Sequence, residues 1–236
     1  MGKRIIQQRR GRGTITYRVR KKAFRYKVKY PDGEGKAQIL KLINSGGHTA
    51  PLAKVKLGKE IFFNPAAKNI IEGQEIDVGG AGVGNGNILP LKNIPTGTEI
   101  YNIESRVGDG GKLIRAGGNS AVVTKKQDGR VAILLPSKKE KWFDEKCRAT
   151  IGVIAGHGRL EKPIMKAGKR YYIKKTKSKL WPRTSAVKMN AIDHPFGSGR
   201  GKNISHGQKG KIPKRNAPAG ARVGSLRPKR SGRRKR

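Results

Sequence analysis

All 15 acidic residues of this 236-residue chain lie between Asp32 and Asp193, and that confinement limits what the remainder can fold into. Residues 1–31 carry 12 Lys and Arg and no acid, and residues 194–236 carry 14 and no acid. Each terminal stretch repels itself and offers too little apolar surface to build a core alone. Both are expected to be disordered in isolation and ordered by a polyanion. Over the whole chain, 55 basic residues against 15 acidic ones leave a formal charge of +40. Nucleic acid is the obvious polyanion, because binding its phosphates releases condensed counterions. An anionic membrane surface is the competing partner, but it needs a lipid anchor or an amphipathic helix, and the sequence shows neither.

Apolar residues make up 34% of the chain, against roughly 45–50% in a typical globular domain counted with Gly. The core is therefore modest and part of the chain is expected to lie outside it. The one cysteine, Cys147, cannot staple the chain, which points to a reducing compartment. No run approaches the ~20 apolar residues of a membrane span. Met1-Gly2-Lys3-Arg4 leads into no apolar core, so no secretory signal is expected, and the sequon at Asn203-Ile204-Ser205 reads as accidental.

The acid-free N-terminal stretch has internal order. In Phe24-Arg25-Tyr26-Lys27-Val28-Lys29-Tyr30 apolar and basic residues alternate, and Ile15, Tyr17 and Val19 alternate with Thr16, Arg18 and Arg20. Period two predicts an extended strand with one apolar and one cationic face. Such a strand is either an edge strand guarded by Lys or a ribbon laid on RNA, and the absence of acid favours RNA.

The centre reads as all-β. Residues 37–44, 50–57, 60–64, 74–78 and 98–104 are short β-branched and apolar runs separated by Gly, Pro and Asn. Five such strands suit a small oligonucleotide-binding-type barrel. A second set covers residues 121–126, 130–135, 139–144 and 149–155. Its first two runs are joined by Gln127-Asp128-Gly129, a hairpin signal, and its proportions are those of an SH3-like barrel. Gly108-Asp109-Gly110-Gly111 marks the boundary. The expected organisation is a basic N-terminal extension over 1–36, barrels over 37–108 and 109–193, and a basic C-terminal extension over 194–236. Residues 162–180 have the composition for a short helix at most.

Enzyme signatures are mostly absent. A phosphate-cradling loop needs a glycine five residues before Gly-Lys. Ala53 stands there for Gly58-Lys59, Arg106 for Gly111-Lys112 and Phe196 for Gly201-Lys202. The glycine run from Gly79 to Gly86 misses dinucleotide-turn spacing, because Asn85 and Asn87 fall where the third glycine belongs, and it reads as a loop between strands. His48, His157, His194 and His206 are scattered singly, and Cys147 has no partner at ligand spacing, so no metal and no cofactor are expected. Lys146 and Arg148 could lower the Cys147 pKa, but a small buried residue at a strand edge is the simpler expectation.

The signals that survive concern RNA. In Arg9-Arg10-Gly11-Arg12-Gly13, glycine lets the backbone approach phosphates onto which arginine forks. Trp142, Phe143, Tyr171, Tyr172 and Trp181 sit among cations and could stack on bases, although one of Trp142 and Phe143 should be core. Lys166, Lys169, Arg170, Lys174, Lys175, Lys177 and Lys179 form a basic run with no acid between them. The candidate RNA contacts in the N-terminal extension are Arg4, Arg9, Arg10, Arg12, Arg18, Arg20, Lys21, Lys22, Arg25 and Lys27. Those in the centre are Lys112, Arg115, Arg148, Lys169, Arg170, Lys174, Lys175, Trp181 and Arg183. In the C-terminal extension they are His194, Arg200, Lys202, Lys214, Arg215 and Arg222.

Four ordered motifs carry a family resemblance. They are Asn87-Ile88-Leu89-Pro90-Leu91-Lys92-Asn93-Ile94-Pro95-Thr96-Gly97, Gly108-Asp109-Gly110-Gly111-Lys112, Cys147-Arg148-Ala149-Thr150-Ile151-Gly152, and Met189-Asn190-Ala191-Ile192-Asp193-His194-Pro195-Phe196-Gly197. Their order and spacing resemble the universal L-two family of large-subunit ribosomal proteins in its archaeal form, over nearly the whole chain. The resemblance implies an oligonucleotide-binding-type barrel followed by an SH3-like barrel with long basic extensions. It also implies direct binding to large-subunit rRNA near the peptidyl transferase region, and roles in assembly and in joining the two subunits. The implied partners are rRNA, neighbouring ribosomal proteins and the small subunit, with no membrane, and the implied location is the ribosome in the cytoplasm. The family's histidine falls on His194, for which a structural role is expected and no catalytic one. Ser198, Thr184-Ser185-Ala186 and Lys188 depart from the family's pattern. An enzyme acting on RNA and a chaperone-like annealing protein are the rival classes.

Overall fold

The structure, a computed structural model, describes residues 2–20, 23–194, 196 and 197. Lys21, Lys22, Arg200, Lys202, Lys214, Arg215 and Arg222 lie outside the described residues, as does nearly all of the expected C-terminal extension. The chain divides into two compact units, residues 19–177 and residues 1–18 with 178–236.

The all-β expectation holds for residues 19–177. The strands are β1 (Gly35–Ile43), β2 (Leu52–Leu57), β3 (Glu60–Pro65), β4 (Glu75–Val78), β5 (Ile88–Pro90), β6 (Glu99–Tyr101), β7 (Ala121–Gln127), β8 (Arg130–Leu134), β9 (Glu140–Asp144) and β10 (Arg148–Ile151). Among the described residues they form one ten-stranded sheet in the order β3-β2-β1-β4-β5-β10-β6-β7-β8-β9. All pairings are antiparallel except β4 with β5, which is parallel. The Asp-Gly signal forms a two-residue hairpin: Gln127 pairs with Arg130, and Asp128 and Gly129 adopt φ of 50° and 70°. Two consecutive left-handed residues match the right-handed twist of the flanking strands, and Asp-Gly tolerates that conformation best. β5 was not expected as a strand, because it spans only three residues and ends in Pro90.

Two apolar clusters fill the unit. One gathers Ala37, Ile39, Val55, Phe62, Ile76, Val78 and Ile88, with Tyr30. The other gathers Leu89, Leu91, Ile94, Ile100, Ile103, Val123, Val131, Ile133, Phe143 and Cys147. Successive strand residues point to opposite faces, so Ile88 enters the first cluster and its neighbour Leu89 the second. β5 is thus the strand at which one core gives way to the other. A smaller cluster of Ala50, Ala67, Tyr101 and Ile154 adjoins the first through Ile70 and the second through Ile114.

Residues 23–31 form a strap on this unit. Tyr26 and Val28 are half-buried and Tyr30 is buried, while Arg25, Lys27 and Lys29 are exposed, so the period-two face is real from Tyr26 to Tyr30; Phe24, expected on the same face, is exposed. Hydrogen bonding along it is sparse: Val28 makes a single parallel bridge to Phe63 of edge strand β3. The expected short helix is α2 (Ala167–Thr176), which buries none of its residues.

Residues 2–18 depart from the extended reading. Ile6–Gly11 form a short helix, α1, and the Ile5 N–H donates to Gln8 Oε1 at 3.2 Å to cap its start. The Tyr17 and Arg18 N–H groups both donate to the Thr14 carbonyl, so the chain turns where a strand was predicted. Six residues of alternation, 15–20, fit a turn as well as a strand, and among the described residues no partner strand pairs there to choose between them. Among the described residues no helix is long and apolar enough to cross a membrane.

Candidate nucleic-acid interface

The interface rests on a buried polar node. The Tyr30 hydroxyl lies 2.6 Å from the Asn102 carbonyl and 2.7 Å from Thr150 Oγ1. Asn64 Nδ2 donates to Thr150 Oγ1, and Asn102 Nδ2 donates to Asn64 Oδ1. Burial pushes the Tyr30 pKa up, so the phenol stays a neutral hydroxyl. The Glu104 carboxylate is wholly buried and accepts from the Gly110 N–H at 3.1 Å, the Arg148 N–H at 2.8 Å and the Arg148 guanidinium at 3.2 Å. No buried side-chain polar atom among the described residues lacks a partner, as a low-dielectric interior requires.

Two sequence candidates belong to this node. Arg148 also donates to the Pro31 carbonyl at 2.7 Å. Arg115 donates through Nε to Asn102 Oδ1 at 2.7 Å, and through its terminal nitrogen to the Val28 carbonyl at 3.2 Å and to the Gly111 carbonyl. Both guanidinium groups thus hold the strap, at Val28 and at Pro31. Lys112 is exposed and pairs with Asp109 at 3.3 Å. Burial raises the Asp109 pKa, but hydrogen bonds from Ser105, Gly111, Lys112 and Arg106 outweigh it, and the carboxyl sits below its ordinary range.

The strap presents Arg25 and Lys27 to solvent, with Arg25 over the Tyr26 ring at 5.9 Å. Lys169, Arg170 and Lys175 are exposed on α2, and Lys174 is half-buried. Trp142 is 44% exposed while Phe143 is 4% exposed, so Phe143 is the core residue of that pair and Trp142 faces solvent. Cys147 is buried, and burial, followed by Glu104, Asp144 and Asp109, pushes its thiol up to about 11. The neighbouring cations therefore do not activate it.

In the other unit, Arg4, Arg9, Arg183 and His194 line one cleft of about 500 Å³, joined by Lys188. The Lys3 N–H donates to the Ile192 carbonyl at 2.8 Å, and its ammonium pairs with Asp193 at 3.1 Å, which neutralises the acid of the cleft. Four candidates far apart in sequence thus meet. The Phe196 N–H donates to His194 Nδ1 at 3.1 Å, which leaves a proton on Nε2 in the neutral ring. Burial lowers the His194 pKa, favouring that neutral form. Arg10, Arg12 and Arg18 are exposed in the same unit, Arg10 lying over Tyr17 at 6.0 Å, and Trp181 is half-buried. Arg20, in the first unit, is exposed.

Sequence reading missed a second group of residues. Loops 44–49 and 158–164 come beside α2 in the first unit; they add Arg159 and Lys162 to its cations and bring the His48 ring to the same cleft. Ser45-Gly46-Gly47-His48 reads as a plain turn, and nothing in the spacing predicts that it meets residues 110 positions away. Among the described residues no group of three His, Cys, Asp or Glu could hold a metal ion.

Twin-core β architecture with cations gathered in clefts and on a strap defines a class, that of strongly basic all-β proteins. Within that class, the family model described as "Ribosomal Proteins L2, C-terminal domain" matches residues 84–215, more than half of the chain. The large ribosomal subunit protein uL2 of Archaeoglobus fulgidus is 43% identical over 240 residues, covering 98% of this chain and 99% of that one. The uL2 protein of Methanothermobacter thermautotrophicus is 44% identical over 245 residues and the two chains are covered completely. That of Korarchaeum cryptofilum is 43% identical over 100% of this chain and 98% of its own length. The chain belongs to the uL2 family of large ribosomal subunit proteins.

Proposed function

We propose that this chain is a structural constituent of the large ribosomal subunit in the cytoplasm, binding rRNA directly and supporting subunit assembly, subunit association and the architecture around the peptidyl transferase region. Its partners are large-subunit rRNA, neighbouring ribosomal proteins and the small subunit at the interface; it uses no membrane and no cofactor. The observation that carries this is the convergence of Arg4, Arg9, Arg183 and His194 on one cleft whose only acid is paired with Lys3. Such a cleft has a positive field with no unpaired counter-charge in its lining, which a phosphate backbone supplies.

Arg25 and Lys27 act from the outer face of the strap, while Arg115 and Arg148 serve the interface by holding that strap in place. We read the two cores as the two barrels; the second core also takes Leu89, Leu91, Ile94, Ile100 and Ile103 from the stretch that the sequence assigned to the first. His194 has no catalytic part: with Nδ1 occupied by the Phe196 N–H, its Nε2–H is a positioned donor to RNA. No carboxylate or thiol orients it for proton transfer among the described contacts, and proximity to a reaction centre is not participation in it.

The test is crosslinking of the full chain in cell extract, with sequencing of the attached RNA. Large-subunit rRNA should dominate. Crosslinks spread evenly over many RNAs would favour an annealing protein, and substrate turnover by the purified chain would favour an enzyme.

A further inference from the structure

A second cleft, of about 940 Å³, lies within residues 19–177 between loop 44–49, loop 158–164 and α2. Five cations, Arg159, Lys162, Lys169, Arg170 and Lys177, line it, and no acid does. The segment 157–177 holds eight Lys and Arg and one acid, Glu161, which is not part of the lining. These charges act on one another across the cleft. Burial lowers the Lys177 pKa and Arg159 and Lys174 lower it further; burial, Arg115 and Lys177 lower that of His48.

Charge alone describes any basic surface, but this cleft has a second property. Leu160 is 73% exposed, Ile164 44% and Tyr172 65%, and all three line it. Large apolar side chains left in water next to cations mark a binding surface more often than a bare fold requires. Tyr172 stands on α2, which buries none of its own residues, while Leu160 and Ile164 belong to loop 158–164. Tyr171 and Tyr172 stand edge to face at 5.5 Å, with the Lys175 ammonium 5.6 Å from one ring and 5.9 Å from the other. On the opposite wall the His48 ring is fixed twice, by a 2.8 Å hydrogen bond between its Nδ1 and Ser45 Oγ and by edge contact with Phe24 at 5.2 Å.

From this juxtaposition we infer that the cleft between α2 and loops 44–49 and 158–164 takes an unpaired nucleotide of an RNA strand, its base against Tyr172 and Leu160 and its flanking phosphates on Lys169, Arg170 and Lys177. A duplex presents phosphates on a convex surface and keeps its bases stacked, so it can use the cations but not a concave apolar wall. RNA loops and bulges offer a splayed base that stacks on an aromatic ring while the backbone meets the charges. The inference rests on the proposed rRNA-binding function and deepens it, by naming a single-stranded element as what this part of the protein recognises.

The experiment uses the full chain with two probes, a large-subunit rRNA transcript and a fully paired RNA duplex. Tyr172→Ala alters an exposed side chain, so the variant is expected to fold, and its melting curve checks this. It should weaken binding of the transcript by about tenfold, the effect of one lost base stack. Its affinity for the duplex and its salt dependence should not change. Lys177→Gln should instead reduce the salt slope by roughly one phosphate contact. Ultraviolet irradiation of the wild-type complex should leave a nucleotide on the peptide containing Tyr172. If Tyr172→Ala weakens both probes alike or neither, or if crosslinks form elsewhere while that peptide stays free, the cleft does not hold an unpaired nucleotide. Failure of the wild-type chain to bind the transcript at all would overturn the rRNA-binding function itself, so the two failures are distinguishable.

Discussion

A guanidinium has five donors and no acceptor, so one that is only partly exposed must find carbonyls or carboxylates nearby. Arg115 and Arg148 find them at Asn102, Val28, Gly111, Pro31 and Glu104. In the sequence these two look like any other cation of a basic protein; their different surroundings become visible only when residues 28–31, 102–115 and 148 are brought together. Tyr30 closes the same node, and Tyr30→Phe removes a hydroxyl that serves Asn102 and Thr150. The loss of a buried, satisfied hydrogen bond costs about 1–3 kcal/mol. Urea unfolding of the variant should show an unfolding free energy lower by that amount, seen as a lower midpoint with an unchanged slope. A second prediction at this scale concerns alkaline pH. The folded Cys147 thiol titrates at about 11 against an ordinary 9.0, and burial raises Tyr30 and Tyr101 as well. Groups raised in the folded state contribute stability that is complete below their ordinary pKa and lost as pH climbs through the folded one. Thermal melts should therefore fall in midpoint from pH 9 to 11, and Cys147→Ala should lessen the fall.

At the scale of elements, the strap of residues 23–31 shows where periodicity is informative and where it stops. Alternation assigned Phe24, Tyr26, Val28 and Tyr30 to one face; burial agrees for the last three, and Phe24 is exposed. Alternation also predicted a strand over residues 15–20, where the chain turns at Thr14–Arg18 instead. The difference is a partner: the first stretch has edge strand β3 and the polar node beside it, and the second has no strand to pair with. Gly47 sets how closely the strap docks, because a Cβ there would stand 2.1 Å from the Ala23 carbonyl oxygen. That neighbour is backbone and cannot rotate away. Gly47→Ala should therefore lift the strap locally, and trypsin should cut after Arg25 and Lys27 faster than in the parent chain while the sheet core resists. Mass spectrometry of a timed digest checks this.

For the whole molecule, the candidate cations fall into gatherings that no stretch of sequence contains. The Arg4, Arg9, Arg183 and His194 cleft joins residues 190 positions apart, and the α2 cleft draws on loops 110 positions apart. If these surfaces meet phosphates, log affinity for rRNA should fall linearly with log salt, with a loss of about 10³–10⁵ between 50 and 200 mM for ~6–10 contacts. Replacing Arg9, Arg10 and Arg12 together by Ala should flatten the slope by roughly one unit per contact removed; titration by fluorescence anisotropy at several salt concentrations measures it. The net charge of +40, the all-β class, the Asp128-Gly129 hairpin, a short helix somewhere within 162–180 and the ordered family motifs were legible by themselves. Charge, period and turn chemistry are local properties, written in consecutive residues. The tertiary structure alone decided that β5 divides the two cores, that Arg115 and Arg148 turn inward, that Phe143 and not Trp142 is core, and that His194 accepts from the Phe196 N–H. Each of these depends on which distant groups share a low-dielectric interior, and a linear pattern carries no record of that.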